Sequence, residues 1–575
     1  MPRDRLTWIV VTLAAVGLFA SLFWQQQEIS RTRSLTPMPA PTPALSSATP
    51  SATVTTPATA ETAPTPPPNP VAEQDGRLKT GVAELFFSNN QGGMTALALD
   101  QHKAEDDVPV RLGSSSAPAI GAIATNPIDW HDSGYTLTTD QNKATLSRDL
   151  GNGVALTKTF SNQTAAGLKD PYQVKLVISF RNGGSVDYHN PGFFVSVGGA
   201  EPIHRTDNPG VTAFSWYKDG KHASINVNWF NPSSILGLIQ TSSGHDVYLE
   251  AADHVIWTAV SSQYFATILA SDNHDGNQVW ARRVTIPSEV KGGPVTGIEG
   301  AMGVPGFDLR PGESKDFAFT IYAGPKEYSR LRNQPDDLVS LMNFGLFAPV
   351  SELLLTTMNL IHSVVGNYAL SIIIITLVIR SLLWPIQNYS TKSMRRMAKL
   401  SPVMTQLREK YKDDPQRMNQ EMMKLYKEYG VNPFSGCIPM LIQIPIFFGF
   451  FSMLGSAIEL RNSSFLWVRD LSQPDTVGYL FGLPINILPM VMAGTQLWQM
   501  QIMPKTGDPS QQRILYIMPV VFLFICYNYA SALSLYYTVQ TLFLIVQTYL
   551  TRKQFDAELT NTKPAPVVAK RKSLR

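Results

Sequence analysis

The sequence predicts a polytopic α-helical membrane protein that carries a large antiparallel β-domain outside the membrane. Three observations predict it. Apolar runs of about twenty residues, the length that crosses a bilayer, recur in the C-terminal third. Lys and Arg gather in one loop between those runs and in the tail, the asymmetry that orients membrane proteins. Between about Gly76 and Glu327, short alternating, β-branched and aromatic runs are punctuated by Gly, Asn, Asp and Pro, the pattern of an antiparallel β-sandwich. Composition agrees. A chain of 575 residues predicts more than one domain. Its 16% charged residues fall below the ~25% typical of soluble domains. A net charge of +3 lacks the concentrated basic surface that DNA binding needs. Two Cys exclude a disulfide framework.

In chain order, residues 1–29 read as a signal-anchor helix. Arg3 and Arg5 precede an uncharged run, Leu6–Trp24, of roughly 28 Å as a helix. A cleaved signal peptide is the competing reading, but Leu18-Phe19-Ala20 puts a bulky residue where a cleavage site wants a small one. Residues 30–75 hold eleven prolines between Pro37 and Pro70 and one charge in that stretch, Glu61, so they read as an extended spacer, or else as a proline-motif ligand. Residues 76–343 form the β-domain, with strands expected at Tyr172–Phe180, Phe193–Val197, Ser224–Phe230, Val247–Ala251, Tyr264–Ala270, Gln278–Ile286 and Phe317–Tyr322. Eight of the nine His lie here, without metal-ligand spacing. His131-Asp132, Asp253-His254 and His274-Asp275 are acid–base pairs on paper, but polar loop residues are the plainer reading.

Residues 344–366 read as an amphipathic helix on the membrane surface, with Leu353, Leu354, Met358, Ile361 and Val365 at helical spacing. Residues 367–553 contain five spans: Asn367–Gln387, Val431–Leu454, Leu483–Met503, Ile514–Ala530 and Leu533–Leu550. With the anchor this makes six. The loop 388–430 carries ten Lys and Arg, and the tail 554–575 is basic, so both are expected in the cytoplasm with the N-terminus. Membrane lipids are then a necessary partner.

Arg380 is the most informative residue. It sits inside an apolar run, where a charge costs at least ~2.5–3.5 kcal/mol. No Asp or Glu occurs in the five C-terminal spans to neutralise it. Snorkelling toward Gln387 is the structural alternative. Thr376 lies one turn away on the same face. Gln443, Asn528, Tyr536, Tyr537, Gln540 and Thr541 are the other polar residues of the spans expected to line a groove, though each alone reads as packing glue between helices. The absent carboxylates disfavour a proton relay or an ion-coupled transporter. In the loop, Lys392–Lys412 and Pro415–Tyr429 are helical in pattern and split at Asp413-Asp414-Pro415, which predicts a helical hairpin. Met394, Met397, Met404, Met418, Met422 and Met423 decorate it. Methionine suits adaptable apolar contact, so substrate capture by Met394, Met397, Met418, Met422 and Met423 competes with ordinary helix packing.

The stretches Ser371-Ile-Ile-Ile-Ile-Thr-Leu-Val-Ile-Arg380, Gln420-Glu-Met-Met-Lys-Leu-Tyr426, Val431-Asn-Pro-Phe-Ser-Gly-Cys-Ile-Pro439, Leu441-Ile-Gln-Ile-Pro-Ile446 and Leu535-Tyr-Tyr537 resemble, in order, the YidC/Oxa family of membrane-protein insertases. The resemblance implies a five-helix insertase core, an inner-membrane location and a periplasmic β-supersandwich similar to sugar mutarotases. It implies insertion and folding of nascent membrane proteins, alone or with the Sec translocon; the basic tail and cytoplasmic loops are expected to contact the ribosome. It also implies substrate-facing roles for Arg380, Thr376, Gln443, Tyr536 and Tyr537. Catalytic residues, cofactor and metal are not expected. The rival classes are a small-molecule transporter or channel, which predicts paired intramembrane charges or internal repeats, and a membrane-tethered carbohydrate-active protein, which predicts a catalytic constellation in the β-domain. The proline-rich spacer departs from the family pattern, and Val477–Pro484 lengthens the second outer loop.

Overall fold

In the computed structural model, the residues described are 73–560, without 105–107, 114–115, 205–206, 236–238, 243, 274–275, 287–293, 431–437 and 504–508. The expected anchor, nearly all of the proline-rich spacer and residues 561–575 of the tail lie outside them. The chain divides into two compact units, one mostly β and one mostly helical.

The β-unit contains one long antiparallel ladder. Its strands run in the order Ile123–Ala124, Tyr188–Ala200, Val295–Leu309, Gly276–Ile286, Val247–Ser261, Phe265–Ser271, Ser314–Pro325, Gln173–Asn182, Val154–Ser161, Lys143–Asp149 and Thr136–Thr139. A four-stranded meander, Asp75–Lys79, Ala83–Ser88, Gly93–Lys103 and Pro109–Leu112, forms a second sheet. The long ladder bends back on itself. Phe193 and Phe307 lie on strands in one half, and Phe180 and Phe317 on strands in the other. Yet the four rings meet, with Phe180–Phe307 centroids 5.1 Å apart and Phe193–Phe317 5.3 Å apart. That contact is the buried layer of a sandwich, and edge-on ring pairs at this spacing stabilise it beyond area burial.

Most expected strands are present, usually longer than their alternating cores. Two differ. Ser224–Phe230 is a strand only to Asn226, after which Val227–Phe230 turns as a 3-10 helix begun by the Asn226 side chain. Val295–Leu309, absent from the expected strands, is a full strand that contains four glycines. Here glycine makes room: a Cβ on Gly300 would lie 2.2 Å from the Phe214 ring.

Glu299 on that strand is buried and accepts from Arg282 Nη2 at 2.6 Å. Burial pushes its carboxyl up to about 7, against the pull of Arg282. The folded unit therefore keeps a proton that the unfolded chain releases at an ordinary carboxylate pKa of ~4.3. Stability from this group falls as pH rises toward 7 and is flat above. Glu299→Gln, which cannot ionise, should gain unfolding midpoint relative to the parent chain between pH 5 and pH 7, by up to ~3 kcal/mol. A pH-independent difference between the two melting curves would refute the assignment.

In the helical unit, α1 (Ala348–Val365) ends at Gly366, whose left-handed φ of 70° lets its amide reach the His362 carbonyl. Asn367 then caps the next helix through the Leu370 amide, so Gly-Asn separates two helices in two residues. α1 buries Leu354, Leu355 and Met358 and exposes Leu353, Leu360 and Val364. Apolar residues on both sides suit a helix wedged between protein and lipid. α2 (Tyr368–Lys410) runs through Pro385 and Pro402 without a break, so the expected span and the first arm of the loop hairpin are one helix of 43 residues. α3 (Pro415–Glu428) is the second arm, capped by the Asp414 side chain on the Arg417 amide. α4 (Ile438–Ser456), α5 (Ile487–Ile502), α6 (Pro509–Tyr527) and α7 (Ser531–Thr560) follow. Among the described residues, α2 alone is both long and apolar enough to cross a bilayer on those criteria, with shorter apolar segments at Leu441–Ser456 and Tyr516–Tyr527. The expected third core span starts late: Leu483–Asn486 is a strand paired with Thr476–Leu480, and the helix begins at Ile487.

Candidate functional site

Arg380 is 8% exposed, well inside the helical unit. Its Nη2 donates to the Gln443 side-chain oxygen on α4. The Gln443 amide nitrogen in turn donates to the Tyr536 hydroxyl and to the Gln540 side-chain oxygen, both at 3.1 Å and both on α7. Four residues from three helices thus form one hydrogen-bonded cluster, with members on different helices 63 to 160 positions apart in the chain. The partners of the guanidinium are neutral, the Gln443 amide and the Tyr536 hydroxyl. The expected spans supply no carboxylate to cancel the charge. Aromatic packing holds the cluster in place. Tyr536 stacks on Phe450 at 3.9 Å, and Tyr537 packs on Phe447 at 5.8 Å and Phe522 at 5.1 Å.

The other expected site residues sit differently. Thr376 is buried and its hydroxyl returns to the Ile372 carbonyl at 2.6 Å, the local bond that helical Thr commonly makes. Asn528 is exposed in the turn after α6, not within the span. Tyr537 is half-buried beside the cluster. Of the hairpin methionines, Met397, Met418 and Met422 pack with Leu400, Met404, Leu407, Leu425 and Tyr426 between the two arms. Met423 is exposed and Met394 half-buried, so these two are the ones open to a partner.

Two residues were missed. Gln547 donates to the Asn388 side-chain oxygen at 2.9 Å and ties α7 to α2 below the cluster. Its spacing of seven from Gln540 places both on one helix face, a signal present in the sequence. Gln496 on α5 is buried with its amide nitrogen unpartnered among the described residues, and its type and burial are what mark it.

In the β-unit the acid–base pairs do not assemble. Asp132 is buried against Lys158, while His131 is exposed and turned to Asp129. His254 sits at the register shift within Val247–Ser261, in a left-handed conformation with φ 56°. His274-Asp275 lies outside the described residues. Among the described residues, no group of three His, Cys, Asp or Glu is placed to hold a metal ion.

A β-rich unit followed by apolar helices around a buried, uncancelled Arg defines an integral membrane protein with a large domain outside the bilayer. Comparison with known proteins sharpens this class. The family described as 60Kd inner membrane protein matches residues 360–558, and that described as YidC periplasmic domain matches residues 77–357. The membrane protein insertase YidC of Pelobacter propionicus is 30% identical over 500 residues, 84% of this chain and 87% of that relative. That of Syntrophobacter fumaroxidans is 42% identical over 250 residues, 42% of this chain and 45% of the relative. A crystal structure of an active YidC insertase aligns with 84% of this chain and 94% of its own at 18% identity and a TM-score of 0.34. The chain belongs to the YidC family of membrane protein insertases, inner-membrane proteins with a periplasmic domain that are not enzymes.

Proposed function

We propose that this chain inserts nascent segments into the inner membrane through a polar groove built on the Arg380–Gln443–Tyr536–Gln540 cluster. The reading rests on one observation above all, a buried cation whose hydrogen-bond partners are neutral, the Gln443 amide and the Tyr536 hydroxyl. Such a charge attracts the polar or acidic end of an incoming segment and lets it go again, because no strong ion pair forms. The apolar part of the segment then moves into lipid along α6 and α7. Hydrophobic partitioning drives the step, so it needs no nucleotide. The topology that suits this has six spans, both termini in the cytoplasm and the β-domain in the periplasm. The loop hairpin, with Met394 and Met423 outward, receives the substrate first. The basic tail meets the phosphates of ribosomal RNA. The chain works alone or with the Sec translocon.

Photo-crosslinking tests the route. Probes at Tyr537 and Met423 should yield adducts with a stalled nascent chain bearing a single apolar segment. A Thr376 probe, buried as it is, should yield weaker ones. Absence of adducts at both Tyr537 and Met423 would overturn the groove reading.

A further inference from the structure

The loop between α4 and α5 holds two apolar tips in backbone conformations that do not suit them. Thr476–Leu480 pairs with Leu483–Asn486, and the Leu480–Leu483 pair closes a two-residue turn. Phe481 and Gly482 form that turn with φ of 51° and 81°. Positive φ at both positions is the geometry that Asn-Gly favours. A bulky residue at the first position is strained, and Phe481 is 96% exposed, so no packing within the protein repays the strain. The same combination occurs a few residues earlier. Leu466 has φ of 53° and is 76% exposed, in a turn closed by the Phe465–Val468 bridge.

Both tips spring from one anchored base. Asp475 Oδ2 accepts from the Trp467 indole at 3.1 Å and from the Leu488 amide of α5 at 2.7 Å. The Asn486 side chain donates to the Tyr527 carbonyl, and the Tyr527 hydroxyl donates to the Pro484 carbonyl. The base is thus fixed to the start of α5 and the end of α6, where those helices leave the apolar layer. From Val477 to Ile485 the ribbon carries no charge, and its one polar side chain is Tyr479. A two-stranded ribbon exposed on both faces is marginal in water. It is equally unsuited to the hydrocarbon core, where its open edges would lack hydrogen-bond partners.

We infer that the Phe481 and Leu466 tips are lipid anchors that lie in the headgroup–acyl boundary beside α5. At that depth water still reaches the ribbon edges, the apolar tips reach acyl chains, and Tyr479 and Trp467 occupy the belt where amphipathic rings collect. The lipid surface is the occupant because the tips continue the exposed apolar face of α5, which includes Met490, Val491 and Trp498. The inference rests on reading α5 as a membrane span.

The test uses the full chain in phospholipid vesicles, with Cys437 and Cys526 replaced by Ser. Single cysteines at Phe481, Leu466, Met490 and Asp413 carry an environment-sensitive nitrobenzoxadiazole label. Labels at 481 and 466 should be quenched by shallow spin-labelled lipid and protected from aqueous iodide, while the exposed hairpin position 413 shows the reverse. Iodide quenching at 481 and 466 equal to that at 413 overturns the anchor. Protection from both quenchers points to a protein partner or a second copy and also overturns it. The Met490 label separates the premises: without lipid quenching there, the span reading of α5 fails first. Phe481→Asn, which restores the favoured turn pair and keeps the ribbon, should shift the emission of a label at Tyr479 to the red. Unchanged emission would show that Phe481 does not hold the ribbon in lipid.

Discussion

Arg380→Ala is expected to reduce insertion of a single-span substrate with an acidic leading end by about tenfold or more, the factor that ~1.4 kcal/mol represents. The Arg380 charge is carried at a cost to folding, since moving it into the apolar layer opposes insertion by at least ~2.5–3.5 kcal/mol. Removing it relieves that cost. Activity should therefore fall while the thermal midpoint of the helical unit stays level or rises, the opposite of what a structural residue would show. Arg380→Lys keeps the charge on a compact head without the planar fork that reaches Gln443. It should keep part of the activity toward acidic substrates. A substrate whose leading end has no acidic residue should be much less sensitive to both changes. Insertion assays in vesicles with the two substrates side by side decide it: full activity of Arg380→Ala toward the acidic substrate would end the direct role of this residue.

Arg380 and Gln443 join one cluster while Thr376 bonds within its own helix and Asn528 lies in the turn after α6, and the difference has a physical reason. A charge or amide in an apolar run stands out because burial there is costly, and the cost does not depend on orientation. The role of Thr376 depends on where its hydroxyl points, and a helix offers it the Ile372 carbonyl at once. Asn528 depends on where α6 stops, which is a property of the turn to Ser531. The hairpin was legible from Asp413-Asp414-Pro415, since Asp capping and Pro at the first helical position act locally. The continuity of α2 was not, because Pro385 reads as an end and tertiary context carries the helix through it. In the β-unit, alternation marked half-buried strands. It missed Val295–Leu309, whose Gly300 answers to Phe214, 86 residues away in the chain. The ribbon at 476–486 was visible only as a longer loop, because its run of apolar residues does not alternate in polarity.

Asp132→Ala is expected to cost the β-unit ~3–5 kcal/mol, the usual loss when one partner of a buried ion pair is removed. Asp132 and Lys158 are both buried, and Lys158 Nζ donates to Asp132 Oδ2 and to the carbonyls of Gly92 at 2.6 Å and Gly121 at 3.0 Å. Asp132 also accepts from the Ile123 amide at 2.7 Å and the Tyr135 hydroxyl at 2.6 Å. Through Lys158, whose Nζ also reaches the Gly92 carbonyl just before the meander's third strand, the pair ties the meander to the long ladder. Its removal leaves Lys158 charged among carbonyls alone, and it leaves the Ile123 and Tyr135 donors unpaired. Lys158→Met should cost less. The carboxylate keeps its two short hydrogen bonds and Arg148 at 3.5 Å, and the lost charge no longer needs burial. For a domain of this size Asp132→Ala should lower the unfolding midpoint by roughly 10 °C. Pulse proteolysis of the full chain reads it directly, and equal losses in the two variants would refute the ordering. The same variants bear on function. The β-unit and the helical unit are separately compact, and the proposed insertion route lies wholly within the helical one. Insertion by Asp132→Ala should then survive at temperatures where its β-unit has melted, as should insertion by a chain lacking Gly76–Pro325. Activity that collapses together with the β-unit would instead place part of the working site there, as a carbohydrate-active protein requires.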